Sequence, residues 1–137
     1  MGAVKRGLFD AVLAHTPAGE VRQSIERAAA FTFDLSVEPA VRLLDHGMQT
    51  VPFDLSFEKV VRELGNGSRI SCQDTVPFCL WIAACYLDDY QSALVQTIRA
   101  GGDIDTNAAI VGGIVALAVQ ADGIPPDWLA DREELVV

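Results

Sequence analysis

Asp103, Asp105 and Thr106 follow Gly101 and Gly102 at the head of an apolar stretch, so two carboxylates and a hydroxyl share one tight turn. Hard oxygen donors of this kind suit Mg²⁺, Mn²⁺ or Ca²⁺ better than softer metals. Glycines at 101 and 102 open backbone angles closed to other residues and let the turn approach a ligand closely. The same residues also have a structural reading. Asp, Thr and Asn accept hydrogen bonds from free N–H groups at a helix start, where negative charge suits the helix dipole. Two carboxylates leave most of an octahedral shell to water, so an ion on this turn alone is weakly held.

The elements that must position this turn read as helices. After it, Ala108, Gly112 and Ala116 recur every four residues, with Ala109 and Gly113 beside them, a stripe on which another helix can pack closely. Ile104 to Ala121 forms this helix, and Asp89 to Ala100 the one before it. Ser71 to Leu87 is longer and mostly apolar, which places it at the centre. Asp88-Asp89 lies between two helices and reads as a turn with an N-cap. Pro17 to Ala30 has proline near a helix start, Ser36 caps a segment ending at His46-Gly47, and Ser56 caps one carrying Val60, Val61 and Leu64. Pro125-Pro126 restarts a short terminal helix. No run alternates with period two, so residues 1–137 form a single all-α bundle.

Composition narrows the function classes. Half of the 137 residues are hydrophobic, which excludes a disordered chain, and no apolar run is long enough to span a bilayer. A net charge of −9 tells against nucleic acid, which rewards basic surfaces. The N-terminus meets Asp10 before any apolar stretch of signal-peptide length. Cys72, Cys79 and Cys85 lack zinc-site spacing and number three, which fits free thiols in a reducing, cytoplasmic setting. Neither His15 nor His46 has a context that pairs it with a thiol, and both read as lying near helix ends. Phe78 and Trp81 share a helical face and read as core before they read as a stacking platform for adenine.

Gly-Gly-Asp-x-Asp-Thr-x-Ala-Ala-x-x-Gly at 101–112, followed by an apolar helix, Gly123-Ile124-Pro125 and Trp128, resembles the C-terminal signature of the ADP-ribosylglycohydrolase family. Ile104 takes the place of the threonine usual between the acids. Gly65-Asn66-Gly67-Ser68 and then Thr75-Val76-Pro77 resemble the family's glycine-rich loop and the helix after it, and Asp89-Tyr90-Gln91-Ser92-Ala93-Leu94 is similar to a third family segment. The resemblance covers about Gly65 to Trp128.

It implies an all-α fold and hydrolysis of an N- or O-glycosidic bond to ADP-ribose, with Asp103, Asp105 and Thr106 as ligands to Mg²⁺ or Mn²⁺. Gly65, Asn66, Gly67, Ser68, Gly101 and Gly102 would then meet the substrate. The family's N-terminal T-D-D-T/S and G-D-A-x-G segments are absent from these 137 residues, so half of the expected ion ligands are missing and catalytic residues stay unassigned. Two readings follow: a hydrolase incomplete or inactive as an isolated chain, or a non-catalytic remnant that binds a nucleotide-like ligand or a partner protein. Half of a compact fold also implies a homodimer, with the Ser71–Leu87 helix presenting Phe78, Cys79, Ile82, Cys85 and Tyr86 to the second copy.

Overall fold

The structure, a computed structural model, describes residues 3–34 and 55–133. Helices account for the fold, and no strand occurs among the described residues. The order is α1 (Ala3–Ala14), α2 (Glu20–Asp34), α3 (Leu55–Leu64), α4 (Cys72–Cys85), α5 (Tyr90–Arg99), α6 (Ile104–Val119), a 3₁₀ turn (Ala121–Gly123) and α7 (Pro126–Ala130).

The sequence of α4 is apolar around its circumference, and such a helix is satisfied only at the centre of a bundle. It packs against α1, α2, α3, α5 and α6, and Pro77 through Ala84 are buried without interruption. Pro77 sits inside the helix rather than opening it. Phe78 and Trp81 are core residues, which leaves neither ring available to stack on a ligand.

This burial corrects the expected dimer face. Phe78, Cys79 and Ile82 are covered by the chain's own helices, and Cys85 and Tyr86 are half-buried, so α4 offers no free apolar side to a second copy.

The sequence reading also misplaces some boundaries. The chain around Pro17 is non-helical and α2 opens at Glu20, Ser56 lies inside α3 instead of capping it, and a separate helix, α1, precedes them. The proposed segment from Ser36 to His46 lies outside the described residues. His15 directly follows the last turn of α1, as expected.

A short turn joins α4 to α5. There the Asp89 carboxylate accepts the Ser92 N–H at 2.9 Å and the Ser92 hydroxyl at 2.7 Å, a working N-cap. The α5 and α6 helices then pack side by side, with the Tyr90 hydroxyl lying against Gly112, where even a methyl group would meet it at 3.2 Å. Trp128 on α7 meets Tyr90 edge to face, with ring centres 6.1 Å apart. On α6, Asn107, Val111, Gly112 and Val115 face inward. Ala109, Gly113 and Leu117 face out, although the helix is apolar on that side too. No helix among the described residues is long and apolar enough to cross a membrane.

Candidate functional site

Two sequence segments far apart in the chain meet at the start of α6. The Asn66 carbonyl accepts the backbone N–H of Asp103 at 3.0 Å and the side-chain amide of Asn107 at 2.7 Å. The Asn66 side-chain amide donates to the Ala100 carbonyl at 3.0 Å, tying the same loop to the end of α5. The loop at 65–68 and the turn at 101–107 therefore form one surface.

Glycine makes this approach possible at two points. Gly102, at φ +73°, lies so close to Asn66 that a Cβ would overlap its carbonyl oxygen. A Cβ on Gly67, at φ +84°, would stand 2.7 Å from Cβ of Asp103. Both positions combine a left-handed backbone with no room for a side chain. Gly101 is different, because nothing lies within 4 Å of where its Cβ would be.

The loop is fixed from below by Asp74, a buried acid on the first turn of α4. Its carboxylate accepts the Arg69 N–H at 2.8 Å and its carbonyl accepts the Gly67 N–H at 3.1 Å. Gly65 backs directly onto Asp74. Ser68 is exposed, and its hydroxyl donates to Oδ1 of Asn66 at 2.6 Å. Ile70, at the end of this loop, carries a β-branched side chain at φ +52° and is 91% exposed.

Asp103 occupies the N-cap position of α6, yet its side chain makes no capping hydrogen bond. Asp105 and Thr106 are exposed on the first turn. The Asp105 carboxyl is held below its ordinary range, first by a hydrogen bond with the Asp103 carboxyl and then by the backbone N–H groups of Asp105 and Thr106. Two adjacent carboxylates repel when both are ionised, and a cation between them relieves that repulsion. Among the described residues, no group of three or more His, Cys, Asp or Glu side chains is clustered closely enough to hold a metal ion.

Beneath the turn, the Cys79 thiol donates to Oδ1 of Asn107 at 3.5 Å. Burial, and next the negative charge of Asp103, push this thiol up to about 12.

The structure thus brings together Gly65, Asn66, Gly67, Ser68, Gly101, Gly102, Asp103, Asp105 and Thr106. It separates Asp88 and Asp89 from them, placing both at an open cleft of about 750 Å³ that also touches Tyr90, Asp122 and Pro125. Asn107 and Asp74 escaped assignment to the site. The available signal for Asn107 was its register: it precedes Val111 and Val115 at four-residue steps on a buried face, where a polar side chain demands a partner.

The ADP-ribosylglycohydrolase family profile matches residues 2–136. Over 43 residues the chain is 40% identical to the ADP-ribosyl-[dinitrogen reductase] glycohydrolase of Rhodospirillum rubrum. That stretch is 31% of this chain and 15% of the relative, so the match spans only a small part of the relative's length. No solved structure shows a significant match. With the profile running across nearly all of the sequence and its signature segments docked on one another, the chain belongs to the ADP-ribosylglycohydrolase family.

Proposed function

We propose that this chain supplies one half of a divalent-ion site for hydrolysis of a glycosidic bond to ADP-ribose, and that alone it turns over slowly or not at all. The observation that supports this reading is the Asp103–Asp105 pair. Its carboxyls lie against each other at an exposed helix start, and Asp103 leaves the capping role unfilled. Asp103, Asp105 and Thr106 would hold Mg²⁺ or Mn²⁺ there. Such an ion, when bound, supplies positive charge that orients ribose hydroxyls and a water near the anomeric carbon.

The chain's own residues contribute position. The loop from Gly65 to Ser68 packs its glycines against Asp74 and Asp103 and leaves Ser68 exposed beside the acid turn, where a diphosphate and ribose would lie. In the overall reaction, water adds across the glycosidic bond, releasing ADP-ribose and the protonated side chain or alcohol to which it was joined.

A second reading has support in the absence of a third clustered ligand among the described residues. In that reading the chain is a binding module for a nucleotide-like ligand or a partner protein. A second polypeptide contributing further acids would reconcile the two, and a homodimer doing so must use a face other than α4. The three cysteines are free, in keeping with a reducing, cytoplasmic setting.

Calorimetric titration with Mn²⁺ and with ADP-ribose, beside an assay of ADP-ribose release, tests the proposal. Weak Mn²⁺ binding that Asp105→Asn reduces, without release of ADP-ribose, is expected. Unchanged Mn²⁺ affinity in Asp105→Asn would overturn the ion site, and efficient release by the purified monomer would overturn the half-site. ADP-ribose binding that ignores Mn²⁺ would favour the binding module. Light scattering over a dilution series reads self-association.

A further inference from the structure

We propose that Asn107 is a positioning residue that clamps the 65–68 loop onto the acid turn, with Cys79 reinforcing the direction of its side-chain amide. The inference deepens the ion-site reading but stands on geometry independent of it.

Asn107 is 0% exposed, so each of its polar atoms needs a partner inside the protein. Its Nδ2 donates to the Asn66 carbonyl at 2.7 Å, and its Oδ1 accepts the Cys79 thiol at 3.5 Å. The reverse orientation would place an oxygen against the Asn66 carbonyl and an NH₂ against the thiol proton. One orientation therefore satisfies both neighbours: the Asn66 carbonyl, which can only accept, selects it, and the thiol at position 79, which also lies 3.9 Å from the Asn107 backbone carbonyl, reinforces it.

The Asn66 carbonyl is also the acceptor for the Asp103 N–H at 3.0 Å. One oxygen thus receives the backbone of the first acid and the side chain of the residue four positions later. The backbone N–H of Asn107 in turn donates to the Asp103 carbonyl at 3.0 Å, the ordinary bond of the first turn of α6, so the clamp and the helix start share this residue. Asn66 cannot retreat, because Gly102 lies directly against it and its own amide is tied to Ala100. The result is a rigid link running from the buried centre of α4, through Asn107 and Asn66, to the acid that opens α6. Rigidity of this kind sets where a carboxylate points and how far it is from its neighbour.

Hydrogen exchange of backbone amides in the full chain, followed by NMR, tests the clamp without any ligand. Asn107→Asp preserves shape but places an acceptor against the Asn66 carbonyl. Exchange of the Asp103 and Gly67 amides is expected to rise at least about tenfold in this variant, while amides of α4 from Phe78 to Ala84 keep their protection. Unchanged exchange at Asp103, or an equal rise across α4, would overturn the proposal.

Cys79→Ser and Cys79→Ala provide a second comparison that does not depend on Asn107→Asp folding. The hydroxyl of the serine variant still donates and should preserve Asp103 protection, whereas the alanine variant should lose part of it. Equal behaviour of the two would remove Cys79 from the clamp.

Mn²⁺ titration of Asn107→Ala, under conditions where circular dichroism shows it folded, should give a several-fold weaker affinity than the wild type, and undiminished affinity would overturn the positioning role. Wild-type protein that binds no Mn²⁺ would overturn the ion-site reading, and amide exchange would still decide the clamp.

Discussion

The backbone N–H of Asp103 points at the carbonyl of Asn66 from 3.0 Å, and Gly102 makes that approach possible. A methyl group at Gly102 would overlap the Asn66 carbonyl oxygen, and its left-handed φ of +73° disfavours any side chain. At Gly101, with φ +66°, a methyl group meets nothing within 4 Å. Gly101→Ala should therefore cost about 1 kcal/mol, the left-handed penalty alone. Gly102→Ala should cost more than about 3 kcal/mol, because steric overlap with backbone is added to the same penalty. Urea denaturation of both variants measures the difference, and equal losses would show that the loop yields freely.

Asp89 and Asp103 hold the same position at the starts of successive helices but do different work. Asp89 accepts the Ser92 N–H and hydroxyl, whereas Asp103 makes no capping hydrogen bond. Asp89→Ala should lower stability by about 1 kcal/mol. Asp103→Ala should lower it by only a few tenths, within about 0.5 kcal/mol, yet abolish measurable Mn²⁺ binding. Thermal denaturation with and without Mn²⁺ separates the two roles. A loss in Asp103→Ala as large as in Asp89→Ala would restore the capping interpretation of the acid turn.

What could be read from the sequence was what neighbouring residues decide among themselves. An apolar circumference places α4 at the centre, and Asp88-Asp89, which reads as a turn with an N-cap, holds a real cap at Asp89. Local cues also misled. Pro17 looked like a helix start, but Gly19 follows at φ +152° and α2 begins only at Glu20. The apolar side chains of α4 were expected to await a second copy because nothing local reveals that α1 and α2 already cover it. For the site, the acids and glycines were visible as a pattern. The contacts that unite them were not, since Asn107 reaches Asn66 across 41 residues and Cys79 across 28. Such pairings are set by how α4 and α6 cross, which no single segment encodes.

Ile70 closes the glycine-rich loop with φ at +52°, a backbone region where a β-branched residue is strained. Its side chain is 91% exposed, so it gains little packing in return. Asparagine tolerates the left-handed region and loses no buried contact here. Ile70→Asn should raise stability by about 1 kcal/mol, since such strain costs on the order of 1–3 kcal/mol. A stability gain together with unaltered ligand binding would mark the strain as incidental. A gain with weakened ADP-ribose binding would give the exposed isoleucine a contact role.

Alkaline pH offers a test of the buried thiol under the acid turn. Cys79 has its ordinary value of 9.0 raised to about 12 by burial first and by the charge of Asp103 second. Tyr86, also pushed up to about 12 from 10.0 chiefly by burial, behaves similarly. A group whose value is higher in the folded state keeps its proton there after the unfolded chain has lost it. Its contribution to stability is thus fully present below the unfolded value and is lost as pH rises toward the folded one. The native state should weaken progressively between about pH 9 and pH 12. Cys79→Ser removes the thiol titration while keeping a hydrogen-bond donor for Asn107, so the decline should become shallower but not vanish, Tyr86 still contributing. Denaturant midpoints collected across this range supply the slope for each variant. Thiol labelling at pH 8 gives an independent view: exposed Cys72 should react readily and buried Cys79 only on unfolding. Rapid modification of Cys79 in the native state would mean that the link beneath Asp103 opens easily, contrary to its burial.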